Sequence, residues 1–418
     1  MTTKGKEIVG IIVGGGPAPG INGVISSAAI EAINHGKKVL GIVGGFKALF
    51  EGDRKAFLEL SIDDVSRIHS EGGSILRTSR DFPEKANDRF TVLVQTLKAL
   101  GIRSLITIGG DGTLFMANWI QRETRGEIAV VHVPKTIDND LLLPGGMPTF
   151  GYESARHWGV IVVNNLMKDA QTTGRWYFVT TMGRYAGHLA LGIGKASGAT
   201  ITVIPEEFIE EKISFKKVAD IIEGSIIKRL SMGKDHGVAI LAEGISNKFD
   251  IQELSQYEDL STDETGRIRL SDIQLGRLIK KIVQESLSRR GLNITIMDKT
   301  VGYELRSANP IPFDCEYTRN LGYGAVRFLL HGGSGAMITV TEGRIKTVPL
   351  AEMIDPLTGK ARVRLVDTES EGYTVAREYM IRLEKRDLEK QPLLQKLSHA
   401  GKIPVAECRK RFSYLCRE

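Results

Sequence analysis

A short acidic segment carries the clearest chemical signal in this 418-residue chain. It reads PKTIDND at residues 134–140 and directly follows the apolar run Ile128–Val133. In extended backbone alternate side chains point to the same side, which places Asp138 and Asp140 together. Two carboxylates beside a lysine can divide the work, because one can accept a proton while the other helps to orient a metal ion. An acidic turn with Asn139 in a strained conformation is the plainer alternative.

Two glycine-rich turns follow other apolar runs. The first reads GGGPAPG at residues 14–20, where backbone N–H groups can approach a phosphate and the next helix adds its positive end. It is neither a Walker A loop nor GxGxxG. The second reads GGDGT at residues 109–113, where Asp111 can reach Mg²⁺ that bridges nucleotide phosphates. A tight turn and a capping carboxylate are the respective structural alternatives.

Three further motifs supply cations and one more carboxylate. They read MGRYAGH at residues 182–188, with Arg175 seven residues before its methionine, AEG at 242–244 and GYELRS at 302–307. A single arginine is more typical of a solvated surface. Together these guanidinium groups can bind a phosphate in a bidentate manner.

The elements that must position these motifs are strands of a parallel sheet. Continuous Val/Ile runs without alternation are typical of strands buried on both faces. Such runs occur at Ile8–Val13, Val39–Val43, Leu105–Ile108, Ile128–Val133, Trp176–Thr180, Ile201–Ile204 and Val238–Leu241. Helical patterns lie between them at Ile21–Ile33 and at Arg89–Ala99, with Asp88 as the predicted N-cap. The resulting βαβ units predict an α/β sheet whose ligands bind beyond the carboxyl ends of the strands.

Composition narrows the class of ligand and the cellular compartment. The net charge is 56 − 50 = +6, with no run of five or six Lys/Arg, which favours anionic small molecules over nucleic acid. Three cysteines without a CxxC pair argue against a disulfide scaffold and against a zinc site. The sequence has no signal-peptide core and no apolar stretch of membrane-spanning length. We therefore expect a cytoplasmic protein without a nucleic-acid or membrane partner.

Three other segments carry structural expectations only. Residues 249–264 contain six acidic and no basic side chains, which indicates an exposed insertion. Residues 331–335 read HGGSG and predict a turn. Tyr373–Lys390 has apolar residues at helical spacing and is followed by Pro392, which predicts one tail helix that packs on the body or on a partner subunit.

Taken in order, the motifs GGGPAPG, GGDGT, PKTIDND, MGR, AEG and GYELR resemble the phosphofructokinase family from about Ile8 to Arg306. GGDGT alone also resembles NAD kinases and lipid kinases. The resemblance implies an α/β kinase with two Rossmann-like lobes, mainly parallel sheets and an active site between the lobes. We expect a nucleotide lobe at residues 1–150, a sugar-phosphate lobe at 151–350 and a tail at 351–418, with the chain crossing between lobes near its end.

The resemblance also implies the site residues. Asp138 is the expected base for the 1-hydroxyl of fructose 6-phosphate, with Lys135 and Arg184 beside the transferring group, and Asp111 is the expected Mg²⁺ ligand. Arg175 typically reaches a neighbouring subunit's site, so a homo-oligomer, a dimer or a tetramer, is implied. The residues expected around ATP are Gly15, Gly16, Arg80, Asp81, Gly110, Asp111, Gly112 and Thr113. Those expected around fructose 6-phosphate are Thr136, Ile137, Asp138, Arg175, Met182, Gly183, Arg184, Glu243, Tyr303 and Arg306.

Two positions bear on the phosphoryl donor. Pyrophosphate-using relatives carry Lys at position 135, as this chain does, but usually Asp at position 112, where this chain has Gly. Because a carboxylate at position 112 would meet the α-phosphate of a nucleotide, Gly112 favours ATP, and the expected activity is that of an ATP-dependent 6-phosphofructokinase of glycolysis. A pyrophosphate-dependent enzyme is the first alternative. A kinase of the NAD kinase type and a catalytically silent nucleotide sensor are the others.

Control by effectors is a property of many members of the resembled family. In compact bacterial members the effector site uses arginines of the first helix, and this chain has small and apolar residues at 21–30 instead. We therefore expect an allosteric enzyme whose effector site differs from that of the compact bacterial members.

Overall fold

The computed structural model describes residues 6–80, 88–250, 253, 274–357 and 361–416. The chain forms two compact units, each assembled from two stretches of sequence. The first unit comprises Met1–His157 and Tyr303–Arg364, and the second comprises Trp158–Gly302 and Leu365–Glu418. The chain thus returns to the first unit at Tyr303 and leaves it again after Arg364.

The first unit is built on a mixed sheet whose inner strands are all parallel. Its strands are β1 (Ile8–Val13), β2 (Lys38–Ile42), β3 (Phe57–Glu59), β4 (Ile102–Gly109), β5 (Ala129–Pro134), β10 (Ala336–Thr341) and β11 (Arg344–Pro349). They lie in the order β11-β10-β5-β4-β1-β2-β3, and only the outermost pairs, β10 with β11 and β2 with β3, are antiparallel. Strands β5, β4 and β1, each followed by one of the predicted phosphate or carboxylate motifs, are therefore neighbours.

The second unit has a smaller sheet in which every pair of strands is parallel. Its strands are β6 (Trp176–Thr181), β7 (Ile201–Val203), β8 (Gly237–Ala242) and β9 (Ile296–Val301), in the order β7-β8-β6-β9. All seven strands predicted from apolar runs are present, and the mainly parallel α/β class is confirmed. Four of the described strands were not predicted by the sequence analysis. Strands β3, β9 and β11 lie at sheet edges, where exposed polar residues interrupt the apolar run, whereas β10 is a buried inner strand.

Helices follow most of the parallel strands. They are α1 (Ile21–Asn34), α2 (Phe46–Glu51), α3 (Ile62–Val65), α4 (Asp88–Ala99), α5 (Asp111–Glu123), α6 (Tyr152–Thr173), α7 (His188–Ser197), α8 (Phe215–Ser231), α9 (Leu275–Ser288), α10 (Tyr303–Arg306), α11 (Pro312–Leu330), α12 (Glu371–Glu378), α13 (Lys385–Glu389), α14 (Gln391–Gly401) and α15 (Val405–Phe412). Both helices predicted before residue 100 are present, although Asp88 is the first residue of α4 and not its cap. Within the described ranges, no helix has the length and hydropathy needed to cross a membrane.

The tail departs from the single helix predicted over residues 373–390. Helix α12 ends at Glu378, because the next residues turn away to make contacts elsewhere in the second unit. The Ile381 N–H donates to the carbonyl of Thr200 at 2.8 Å. Arg382 forms a buried ion pair with Glu207 at 2.5 Å. These long-range contacts replace helical hydrogen bonds, and Pro392 lies in the first turn of α14 and does not end a helix.

Of the predicted turn at residues 331–335 and the predicted acidic insertion at residues 249–264, the structure describes the turn fully and the insertion only in small part. The turn predicted at residues 331–335 is present, and the N–H of Gly335 donates to the carbonyl of Val130 at 2.7 Å. The acidic insertion predicted at residues 249–264 lies outside the described residues, apart from Phe249, Asp250 and Glu253.

Close packing of α1 against α11 fixes the helix that follows the first glycine-rich turn. Ile25, Ala28 and Ala29 of α1 are fully buried, which agrees with the apolar character of this helix in the sequence. Gly322 of α11 faces them so closely that an added Cβ would lie 2.6 Å from the carbonyl oxygen of Val24. The absence of a side chain at position 322 therefore sets the distance between the two helices.

We expect Gly322→Ala to lower the free energy of unfolding by about 1–3 kcal/mol, because the added methyl group forces the helices apart. Denaturant titration of the full chain measures this change. Gly372→Ala in α12 is the matched control, since the nearest atom would lie 3.9 Å from its added Cβ. An equal response of the two variants would contradict the proposed packing constraint.

Candidate active site

Three sequence motifs meet at the carboxyl ends of three neighbouring inner strands of the first unit, β1, β4 and β5. The N–H of Gly14, after β1, donates to the carbonyl of Ile108 at 2.9 Å. The N–H of Lys135, after β5, donates to the carbonyl of Gly109 at 2.8 Å. These backbone bonds extend the parallel ladder by one residue, so the three motifs begin side by side. In open α/β sheets, ligands usually bind just beyond the carboxyl ends of the strands.

The loop Gly15–Gly16 leaves room for two guanidinium groups. Gly15 has a φ of +84°, and its N–H donates to the carbonyl of Ser79 at 2.8 Å. An added Cβ on Gly16 would lie 3.0 Å from Nη2 of Arg80 and 3.4 Å from Cζ of Arg306. The absence of a side chain at position 16 therefore lets both guanidinium groups lie close to this loop. The sequence analysis had assigned Arg80 to the donor and Arg306 to the sugar, and the structure brings both to Gly16.

Lys135 is buried against the same loop, with a relative exposure of 4%. Its Nζ donates to the carbonyl oxygen of Gly16 and lies 3.2 Å from the position that a Cβ on Gly15 would occupy. Burial lowers the pKa of Lys135 to about 8, and Arg306 is the next cause. Asp138 and Asp111 act in the opposite direction. The ammonium group is thus held in a cationic cluster, which we define as Arg80, Lys135 and Arg306.

The loop that follows Lys135 is pinned by local and distant hydrogen bonds. The Asp138 N–H donates to Thr136 Oγ1 at 3.0 Å, and Ile137 is buried. Asn139 has a φ of +57°, as the alternative interpretation of a strained turn expected. The hydroxyl and N–H of Thr149 donate to the Thr136 carbonyl at 2.8 Å and to Asn139 Oδ1 at 3.0 Å. The strained turn and the pair of carboxylates therefore coexist in one loop.

The carboxyl groups at these strand ends influence one another electrostatically. Burial, followed by the negative charges of Asp138 and Asp111, raises the pKa of Asp140 to about 7. Two carboxyl groups in such an environment tend not to be ionised together, which separates their roles. Asp138, whose charge disfavours ionisation of Asp140, is suited to accept a proton.

Asp111 is the first residue of α5, where its side chain is exposed and Gly110 occupies the N-cap position. Gly112 is half-buried and Thr113 is buried. Among the described residues no group of three or more His, Cys, Asp or Glu side chains is arranged to hold a metal ion. Mg²⁺ in phosphoryl-transfer sites is usually held by one or two carboxylates and by substrate phosphates. The exposed Asp111, close enough to affect Asp140, fits that kind of site.

The motifs of the second unit meet in the same way at the ends of β6 and β8. Gly183, with a φ of +141°, packs on Gly244, where an added Cβ would lie 3.1 Å from the Gly183 carbonyl oxygen. Met182 is buried, Glu243 is half-buried, and Arg184 is exposed with its guanidinium 5.1 Å from the ring of Tyr185. These motifs thus form one local cluster.

Of the remaining predicted residues, Tyr303 lies beside the cationic cluster and Arg175 lies in the second unit. Arg175 precedes β6 and is half-buried, with Nε 3.9 Å from the carboxylate of Asp169. Tyr303 is 73% exposed, and the guanidinium of Arg306 lies 5.0 Å from its ring. Asp81 lies outside the described residues.

Two residues that hold the Asp138 loop were missed by the sequence analysis. Thr149 is ten residues from Asn139, and Arg364 is 225 residues from it. Neither belongs to a motif, and nothing in the local sequence signals the contact. Only the return of the chain to the first unit brings Arg364 to the loop.

The family model for phosphofructokinase matches residues 8–329. The chain belongs to the phosphofructokinase family. It is 55% identical over 411 residues to a pyrophosphate--fructose 6-phosphate 1-phosphotransferase of Thermotoga maritima, which covers 97% of this chain and 98% of the relative. It is 50% identical to a protein of the same name from Naegleria fowleri, over 99% of this chain and 97% of that protein. An ATP-dependent 6-phosphofructokinase of Mycobacterium bovis is 31% identical over 84% of this chain and 95% of its own.

Solved phosphofructokinases share the fold. The enzyme of Saccharomyces cerevisiae aligns with a TM-score of 0.66 at 24% identity, over 83% of this chain and 45% of that one. A pyrophosphate-dependent phosphofructokinase of Marinobacter aquaeolei aligns with a TM-score of 0.67 at 17% identity, over 93% and 91% of the two chains. At these identities the likeness concerns the fold.

The expectation of an ATP-dependent enzyme, drawn from Gly112, is wrong. Two relatives that are 50% or more identical over nearly the full length are both named for pyrophosphate. The physical reason lies in the kind of contribution each position makes. A glycine at position 112 removes a repulsion with a nucleotide, but it supplies no attraction. Lys135 supplies a fixed positive charge, and that is a direct contribution to binding a compact anion.

We expect Lys135→Met to raise the free energy of unfolding at pH 7 by about 3 kcal/mol. Each pKa unit corresponds to about 1.36 kcal/mol, and burial together with the nearby arginines lowers the pKa of Lys135 from 10.5 to about 8. The unfolded state binds more protons than the folded state between these two pKa values, so the stability of the parent protein rises with pH there. The advantage of the methionine variant should disappear by about pH 10.5. Denaturant titrations of both proteins at pH 7 and pH 10 measure it, and a difference independent of pH would contradict a buried ammonium group.

Proposed function

We propose that this chain is a pyrophosphate-dependent phosphofructokinase. It transfers a phosphoryl group from pyrophosphate to the 1-hydroxyl of fructose 6-phosphate, and the products are fructose 1,6-bisphosphate and inorganic phosphate. The names of the two nearly full-length relatives support this donor. The observation that carries the proposal is the burial of Lys135 against Gly15 and Gly16.

Pyrophosphate differs from a nucleotide in the charge it concentrates in a small volume. Its two phosphoryl groups have no nucleoside to bury, so recognition depends on fixed cations and backbone donors. The cationic cluster provides such cations beside Gly15 and Gly16, and the Gly16 carbonyl holds the ammonium group of Lys135 in place. Planar guanidinium groups add bidentate contacts to phosphate oxygens.

Phosphoryl transfer requires positioning and charge neutralisation more than covalent chemistry. Asp138 accepts the proton of the 1-hydroxyl, while Lys135 and Arg184 stabilise charge on the transferring group. Asp111 would hold Mg²⁺, which neutralises charge on the donor phosphates when it is bound. The carboxyl group of Asp140, with its raised pKa, limits the negative charge next to the reacting phosphate.

The other predicted residues take their roles from the family resemblance. Arg175 contributes to the site of a neighbouring subunit in a homo-oligomer, and the reaction serves glycolysis. The donor side comprises Gly15, Gly16, Arg80, Gly110, Asp111, Gly112 and Thr113. The residues proposed to contact the sugar phosphate are Thr136, Ile137, Met182, Gly183, Arg184, Glu243, Tyr303 and Arg306.

A donor comparison with saturating fructose 6-phosphate and Mg²⁺ tests the proposal. We expect kcat/KM for pyrophosphate to exceed that for ATP by about 10²-fold or more, a difference of about 2.7 kcal/mol. Lys135→Met should remove most of the pyrophosphate activity. Lys47→Met is the matched control, because Lys47 lies on α2 with 60% of its side chain exposed.

The reverse reaction provides an independent measurement. Fructose 1,6-bisphosphate and inorganic phosphate should yield fructose 6-phosphate and pyrophosphate with the parent protein and with the Lys47 variant. A parent protein that uses ATP more efficiently than pyrophosphate would refute the proposed donor.

We expect Asp138→Asn to lower kcat by about 10²–10⁴-fold, because the amide retains the shape of the carboxylate but cannot accept the proton. The KM for fructose 6-phosphate should change much less. Steady-state kinetics with pyrophosphate measure both values. Asp63→Asn, an exposed carboxylate on α3, controls for the loss of one charge. A kcat near that of the parent would exclude Asp138 as the base.

A further inference from the structure

Arg364 lies far from every motif in the sequence, yet it binds the loop that carries Asp138 and Asp140. Its Nε donates to the carbonyl oxygen of Asn139 at 3.1 Å, and Nη1 donates to the carbonyl of Met147 at 3.0 Å. Nη2 donates to Asn139 Oδ1 as well. The backbone N–H of Arg364 donates to the carbonyl of Asp140 at 2.7 Å. One residue therefore holds the peptide groups on both sides of Asp140, together with the side chain of Asn139.

The conformation that these bonds hold is not one that an isolated chain would favour. Asn139 has a φ of +57°, in the left-handed region that non-glycine residues rarely adopt. Such conformations persist when the surroundings over-determine them, and they cluster at functional sites. Here Arg364 binds the Asn139 carbonyl and side chain, while the Thr149 N–H binds the same side-chain oxygen at 3.0 Å.

The directions in which the Asp138 and Asp140 carboxylates point depend on the backbone conformation of Asn139. Asp138 and Asp140 flank Asn139, so a change of its φ toward ordinary values would rotate the two peptide groups and the side chains attached to them. Lys135, at the start of the same loop, is fixed separately through Gly16 and β4. Loss of the Arg364 bonds would therefore move the carboxylates relative to the ammonium group.

We propose that Arg364 is a positioning residue for phosphoryl transfer, which sets the orientation of Asp138 and Asp140 through Asn139 without itself contacting the substrates. This inference rests on the function proposed above. Its role differs from that of the cationic cluster, whose members would meet the substrates directly. The family model ends at residue 329, so Arg364 also lies beyond the segment that the model matches.

Three variants test the inference in the full chain. Arg364→Met removes the guanidinium group, Arg364→Lys retains a positive charge and one donor, and Arg362→Met changes a neighbouring exposed arginine. We expect Arg364→Met to lower kcat with pyrophosphate by about 10²-fold, as for a small misplacement of a reacting group. The KM for fructose 6-phosphate should stay within about threefold. Arg364→Lys should recover about tenfold in kcat, and Arg362→Met should behave as the parent.

Hydrogen exchange of the backbone gives a readout that does not depend on the donor. In Arg364→Met, exchange should accelerate in residues 134–150 and remain unchanged in the second unit, whereas Arg362→Met should leave both unchanged. Unchanged exchange in residues 134–150 would overturn the inference, even if the parent protein did not use pyrophosphate. Faster exchange with an unaltered kcat would overturn it too, since the loop would then move without consequence. If Arg364→Met does not fold, Arg364→Lys decides by the same two measurements.

Discussion

The burial of one ammonium group, that of Lys135, is the constraint on which the candidate site depends. Transfer of a lone charge from water into a protein is costly, and the lowered pKa of Lys135 records that cost. The carbonyl oxygen of Gly16 and the negative charges of Asp138 and Asp111 offset part of it. The two arginines of the cationic cluster increase it. Such an arrangement is unfavourable for the protein alone and becomes favourable when a polyanion is bound.

Local geometry follows from that constraint. Lys135 lies close to Gly15 and Gly16, which carry no side chains to displace it, and the same space admits Arg80 and Arg306. The acidic side of the site shows the opposite shift, since burial and neighbouring carboxylates raise the pKa of Asp140. An ammonium group whose charge is destabilised and a carboxyl group that resists ionisation lie together at the carboxyl ends of the parallel strands. This is the kind of electrostatic preorganisation that phosphoryl transfer uses.

The choice of donor shows how two positions with opposite indications should be weighed. Gly112 indicated ATP because it leaves space, and Lys135 indicated pyrophosphate because it supplies charge. The relatives that share half or more of the sequence carry the pyrophosphate name, so the position with a direct attractive interaction was the better guide. A position that only leaves space, such as Gly112, does not exclude pyrophosphate as the donor, because the space that a nucleotide would occupy can also be filled with water. A buried charge has to be compensated, and this requirement restricts what can bind.

The sequence by itself determined the class of fold, the inner strands other than β10 and the motifs at their ends. Continuous apolar runs and glycine turns are local patterns, and strands buried on both faces require them whatever the rest of the chain does. The edge strands β3, β9 and β11 and the broken tail helix were decided by the tertiary structure, because exposed faces and long-range hydrogen bonds leave no periodic signal. The tertiary structure also determined that Arg306 lies beside Gly16 and that Arg364 binds Asn139. These contacts join residues more than 200 positions apart, and only the return of the chain to the first unit at Tyr303 brings them within bonding distance.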